Sequence, residues 1–117
     1  WLGENLAEEA EVNSWLSAAA FELRLGPYDA RLSVHFPWLC VNANAVEDNS
    51  TKALNIFEKR LTGRQWIALD RPTVADVASF PAIAQSTDGN ISLEAYSAIQ
   101  SWLQRMRKLP GMIELLD

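Results

Sequence analysis

The segment Arg71-Pro72-Thr73-Val74-Ala75-Asp76-Val77-Ala78-Ser79-Phe80-Pro81 carries every local signal of a helix start. Thr73 stands as the N-cap, because its hydroxyl can accept a hydrogen bond from a first-turn amide that has no partner inside the helix. Asp76, three residues on, can reach back to the Thr73 amide and places negative charge at the positive end of the helix dipole. Val77, Ala78, Phe80, Ile83 and Ala84 then supply an apolar face. Thr73 and Asp76 are expected to be buried and to satisfy each other, with a role in folding rather than in catalysis.

The signals elsewhere are almost wholly helical. From Glu4 to Leu25 there is no proline or interior glycine, and Val12, Trp15, Leu16, Ala19, Ala20 and Leu23 recur at helical spacing. Glu4, Glu8, Glu9 and Glu11 crowd the first turns, where the dipole favours acid. Gly26-Pro27 reads as the stop of this helix. Residues 28–38 can continue as helix after a kink or run extended, with helix favoured, until Pro37 breaks the pattern. A third helix is expected from about Ala45 to Leu61, with Val46, Ala53, Leu54, Phe57 and Leu61 inward and Gly63 as C-cap. Trp66-Ile67-Ala68-Leu69 is short and apolar, a packed loop rather than a strand, since no second strand exists to pair with it. The helix begun at Thr73 should run to about Gln85 and bend at Pro81, and Asp88-Gly89-Asn90 reads as a turn. A last long helix from about Tyr96 to Lys108 has a Ser97/Gln100 capping box, with Ile99, Trp102, Leu103 and Met106 inward. Leu109-Pro110-Gly111 stops it, and a short helix over Met112 to Leu116 follows. The fold class is an all-α helical bundle.

With 117 residues this is one domain, residues 1–117, large enough to bury a core without disulfides or metal. Hydrophobic residues at 49% and charged residues at 21% are ordinary globular values, which excludes a disordered tail. No apolar run approaches the roughly 18 residues that span a bilayer. The net charge of −5 argues against nucleic acid or an anionic membrane as partner. Cys40 stands alone, so no internal disulfide can form, and a reducing, cytoplasmic compartment is the natural setting. One His and one Cys cannot build a structural zinc site. A chain that opens on Trp1 rather than Met reads as a fragment or a processed form.

In this order the pieces resemble the C-terminal helical domain of cytosolic glutathione transferases. The resemblance rests on Trp15-Leu16 in a long first helix, Leu54…Phe57-Glu58-Lys59-Arg60-Leu61, Arg64-Gln65-Trp66-Ile67-Ala68, Arg71-Pro72-Thr73-Val74-Ala75-Asp76-Val77-Ala78 and the stretch from Leu93 through Trp102 to Gly111. It covers nearly the whole chain. Arg24-Leu25-Gly26-Pro27-Tyr28-Asp29-Ala30-Arg31-Leu32 further resembles a bacterial-type subgroup, with fungal members an open alternative. The resemblance implies a two-domain parent whose thioredoxin-like N-terminal domain, absent here, holds most of the glutathione site and the thiol-activating residue. It implies glutathione as co-substrate, a hydrophobic electrophile bound partly by this half, and a homodimeric parent. No catalytic residue is assigned within this chain, which alone should be inactive.

Phe21, Arg24, Tyr28 and Arg31 are spaced so that the end of the first helix can present one face to the cleft, and they are the candidate substrate-binding residues. Arg24, in Glu22-Leu23-Arg24, falls where some bacterial-class members carry a His that approaches the glutathione sulfur. An Arg there can pair with a carboxylate or favour a thiolate, but it cannot accept a proton at neutral pH. The competing reading is a solvated or ion-paired helix Arg. Tyr28 and Phe36 can line an apolar pocket, though core filling is the simpler account, as it is for Trp15 and Trp102. His35 reads as a structural or surface residue and Cys40 as a small buried hydrophobe. The alternative function is a non-catalytic protein–protein interaction module, of the kind this domain supplies in translation elongation factor and aminoacyl-tRNA synthetase assemblies; storage of an apolar ligand is a third.

Overall fold

The computed structural model describes residues 2–36, 43–89 and 91–109. Helix α1 spans Leu6–Leu23 and passes through a π turn at Arg24–Tyr28 into α2, Asp29–His35. Helix α3 spans Ala43–Leu61, α4 Val74–Ala84 and α5 Ser97–Arg107, with a 3-10 turn at Ser86–Gly89 after α4. Among the described residues there is no strand, and the architecture is the expected all-α bundle. The expected breaker Pro37, the thiol of Cys40, the Pro110-Gly111 stop and the short helix over Met112 to Leu116 lie outside the described residues.

The Thr73 cap forms as its residue types dictate. The Ala75 amide donates to the Thr73 hydroxyl at 3.2 Å, and the Thr73 amide donates to Asp76 Oδ2 at 3.0 Å. Both residues are fully buried. The carboxylate does more than close a box: its Oδ1 accepts from the Ile67 amide at 3.0 Å and from the Trp102 indole at 2.8 Å. One side chain therefore ties the 62–73 loop, the start of α4 and the middle of α5 together.

That loop is buried at Ile67 and Ala68 without a strand partner, so side chains must serve its backbone. Arg60 Nε donates to the Ile67 carbonyl at 2.7 Å and Arg60 Nη2 to the Ala68 carbonyl at 3.1 Å. Arg64 adds a bond to the Ile67 carbonyl at 3.2 Å. Arg60 also reaches Glu11 of α1 at 2.8 Å and stacks on Trp15, whose ring meets Phe57 edge-on at 5.4 Å. Burial lowers the Arg60 pKa from its ordinary value, with Arg64 adding to the shift and Glu11 opposing it. The acidic first turns of α1 thus serve ion pairs as well as the dipole.

The inward faces of α3 and α5 are as expected. Ala53, Leu54, Phe57 and Leu61 pack with Ile99, Trp102, Leu103 and Met106, joined by Leu23, Ile67, Phe80 and Ile83. Burying a side chain of this size contributes roughly 1.5–3 kcal/mol. Val12, Ala68 and Ala75 form a smaller cluster where α1 meets α4. Gly63, at φ +80°, ends α3 as the expected C-cap.

Three local expectations are corrected. Gly26-Pro27 does not stop the first helix: the backbone stays helical on either side, at φ −66° for Arg24 and −67° for Asp29. Proline has no amide to donate and its ring would strike the carbonyl four residues back, and a widened turn relieves both problems without ending the helix. The Ser97/Gln100 box is replaced by Glu58 of α3, whose carboxylate accepts from the Ala98 amide at 3.1 Å and the Ile99 amide at 3.0 Å. Asp88 and Gly89 of the expected turn form the end of the 3-10 turn, while Asn90 lies outside the described residues. Ala20, Val77 and Ala78, assigned inward, are exposed, because α1 and α4 meet along a narrower seam than their apolar faces allow.

Asp76→Ala would leave three buried N–H groups unmet at about 1–3 kcal/mol each. A urea-unfolding loss of at least about 3 kcal/mol is expected. A loss no larger than the roughly 1 kcal/mol of an exposed cap would contradict this. A second outcome concerns Glu8, which binds Arg71 through two contacts of 2.6 and 3.3 Å. Arg71, with the Glu4 amide, holds the Glu8 carboxyl below its ordinary range. A depressed carboxyl pKa stabilises the fold above that range and loses its contribution as pH falls through the folded value. Glu8→Gln should therefore lower the melting temperature at neutral pH, and its difference from wild type should shrink below about pH 4. A difference that grows toward acid would refute the assignment.

Candidate functional site

The end of α1, the π turn and α2 carry the candidate residues on one continuous helical run. Gly26 lets this run lie against α3: a Cβ added there would come within 2.7 Å of the Ser50 Cα and 2.8 Å of the Ser50 amide nitrogen. Gly89 does the same for the 3-10 turn, where a Cβ would meet the Arg31 amide nitrogen at 2.6 Å. Two glycines thus clamp the π turn and α2 from two sides, one through α3 and one through the turn after α4. The Gly26-Pro27 stop expected from sequence is in fact a scaffold: Pro27 is buried and Tyr28 is 42% exposed.

Two hollows open beside this run. One, of about 220 Å³, lies between α1 and α4 and is lined by Ala19, Ala20, Arg24, Tyr28, Ala78, Pro81 and Ala82. The other, of about 280 Å³, is lined by Tyr28, Arg31, Leu32, His35 and Phe36. Tyr28 belongs to both. The Arg24 guanidinium carbon sits 5.3 Å from the centre of the Tyr28 ring, a cation–π contact. Arg24 has no carboxylate partner among the described residues, so its fork is held by the ring rather than consumed by an ion pair.

Of the four candidates, Arg24, Tyr28 and Arg31 come together along these hollows, while Phe21, 64% exposed, lines neither. Tyr28 and Phe36, at 42% and 43% exposure, are pocket walls rather than core, which corrects the simpler expectation for both. Trp102 is core as expected, whereas Trp15, also expected in the core, is half-buried at its edge beside Phe57. Sequence reasoning missed Leu32 and the small residues Ala78, Pro81 and Ala82 of α4. The apolar pattern marked Ala78 as inward, and its i, i+3, i+4 spacing with Pro81 and Ala82 was the available signal for a second wall. His35, read as a structural or surface residue, is exposed and lines the second hollow.

The arrangement offers an apolar and aromatic surface with two guanidinium groups set along it. That is suited to holding an apolar body and an anionic or carbonyl group together. It does not supply a proton acceptor at Arg24.

Residues 42–110 match the family model for the glutathione S-transferase C-terminal domain. A glutathione S-transferase of Aspergillus oryzae is 36% identical over 125 residues, covering 100% of this chain and 55% of that protein. One of Leptosphaeria maculans is 30% identical over 124 residues, covering 100% of this chain and 53% of the relative. The crystal structure of a glutathione S-transferase from Xanthobacter autotrophicus superposes with a TM-score of 0.86 at 24% identity, over 97% of this chain and 57% of that one, a likeness of fold. The chain spans about half the length of the curated relatives it matches. With the family model covering residues 42–110 of 117, this protein belongs to the glutathione S-transferase C-terminal domain family.

Proposed function

We propose that this chain is the helical half of a two-domain glutathione transferase and forms one wall of the pocket for a hydrophobic electrophile. The observation that carries the reading is the pair of hollows sharing Tyr28, with Arg24 held on its ring and Arg31 beyond it. Each hollow is smaller than the roughly 300 Å³ at which ligand pockets begin, so a second wall is needed to enclose a substrate. A thioredoxin-like domain would supply that wall, most of the glutathione site and the group that activates the thiol. The relatives' transferase names favour this over the interaction-module alternative. Dimerisation of the parent and a cytoplasmic setting belong to the same proposal. Among the described residues no helix is long and apolar enough to cross a membrane.

In this reading the reaction is attack of the glutathione thiolate on an electrophilic carbon of the acceptor, with the leaving group departing or the thioether remaining as adduct. This chain orients the acceptor against the sulfur and keeps water from its apolar face; holding the partners in line lowers the barrier by removing orientational freedom. Arg24 contributes charge, either to a glutathione carboxylate or to the thiolate. In the full-length protein, Arg24→Ala is expected to weaken glutathione affinity by about tenfold, the worth of one charge-assisted hydrogen bond, and to lower conjugation rates. Glutathione affinity and activity both unchanged by the substitution would remove Arg24 from the site.

A further inference from the structure

The π turn has a geometric consequence for the groove. In an unbroken α-helix, residues four apart drift about 40° around the axis, so Tyr28 would stand about 80° round from Ala20. A π turn takes about one more residue to close its circuit, which removes most of that drift. Ala20, Arg24 and Tyr28 then fall in one line opposite Ala78 and Ala82 of α4, as the first hollow shows. From Tyr28 the regular spacing of α2 carries the same face on to Leu32 and His35, which line the second hollow.

Pro27 is the residue that makes an ordinary turn unavailable here. It donates no amide bond, and in α geometry its ring would overlap the Leu23 carbonyl. Nothing else in the local sequence demands a wide turn: Leu25 is 39% exposed, and Gly26 meets α3 through its missing side chain.

We infer that Pro27 is a positioning residue: by enforcing the π turn at Arg24–Tyr28 it brings Tyr28, with Arg24 on its face, into line with the α1–α4 hollow and so joins the two hollows into one groove. The inference rests on the reading of that groove as the acceptor wall. Pro27 touches no ligand in this scheme. It acts through Tyr28 and Arg24.

The test compares Pro27→Ala with Pro27→Ala combined with deletion of Leu25. The single substitution frees the helix to close ordinary turns, which swings Tyr28 out of line. Deleting one residue as well removes the surplus residue and returns Tyr28 to phase with Ala20 in a plain α-helix. Affinity for S-(2,4-dinitrophenyl)glutathione, measured by titration in the full-length protein, should fall about tenfold in the first variant and recover in the second. A proline needed only for stability would not be rescued by a deletion, and melting temperatures report that role separately. NMR of this chain gives a second arm that needs no ligand: the 23–28 amide contacts should shift from five-residue to four-residue spacing in Pro27→Ala. Retention of the wide turn in that variant overturns the inference, as does a relaxed turn with unchanged affinity. A wild-type protein that fails to bind the conjugate defeats the proposed function instead, while the NMR arm still decides what Pro27 does.

Discussion

The carboxylate of Asp76 takes hydrogen bonds from an amide in the 62–73 loop, from the amide that opens α4 and from the indole in the middle of α5, all out of contact with solvent. Such a group is costly to bury unless every lone pair is used, and here both oxygens accept two donors, the Thr73 hydroxyl at 3.4 Å being the fourth. The energetic consequence is asymmetric. Formed, the network adds modestly to stability; broken at its centre, it strands several polar groups at once. The seating of the loop, the direction of α4 and the depth of Trp102 are therefore set together rather than one by one.

The groove depends on that arrangement at one remove. Helix α4 supplies Ala78, Pro81 and Ala82, and its start is held by the Thr73–Asp76 cap. The opposite wall comes from the run α1–π turn–α2, which is pinned by Gly26 against α3 and by Gly89 against α2. Two rigid walls thus face each other, each fixed by contacts remote from the groove itself. Sites built on packed helices in this way hold their side chains more closely than loops do.

What could be read from the sequence was local or periodic. The Thr73–Asp76 cap lies within four residues, and the inward faces of α3 and α5 repeat at helical spacing, so both were legible. The candidates Arg24, Tyr28 and Arg31 were legible as a spacing along one helical run; Arg24 lines one hollow, Arg31 the other and Tyr28 both, while Phe21 lines neither. What could not be read was tertiary. Glu58 caps α5 from 40 residues away, and no local pattern points to it. Gly26-Pro27 has the composition of a stop, but a proline can be met by one widened turn as well as by a helix end, and no local pattern separates the two. Val77 and Ala78 look inward on a helical wheel because periodicity marks an apolar face without saying how much of it a neighbour covers.

The most direct measurement of the central interaction is native-state hydrogen exchange of the Ile67 and Thr73 amides and the Trp102 indole. If Asp76 holds these segments as one unit, all three protons exchange only through global unfolding, with the same denaturant dependence as core amides of α3 and α5. Exchange of the Ile67 and Thr73 amides by local opening, fast and insensitive to denaturant while Trp102 stays protected, would show that the carboxylate does not join them.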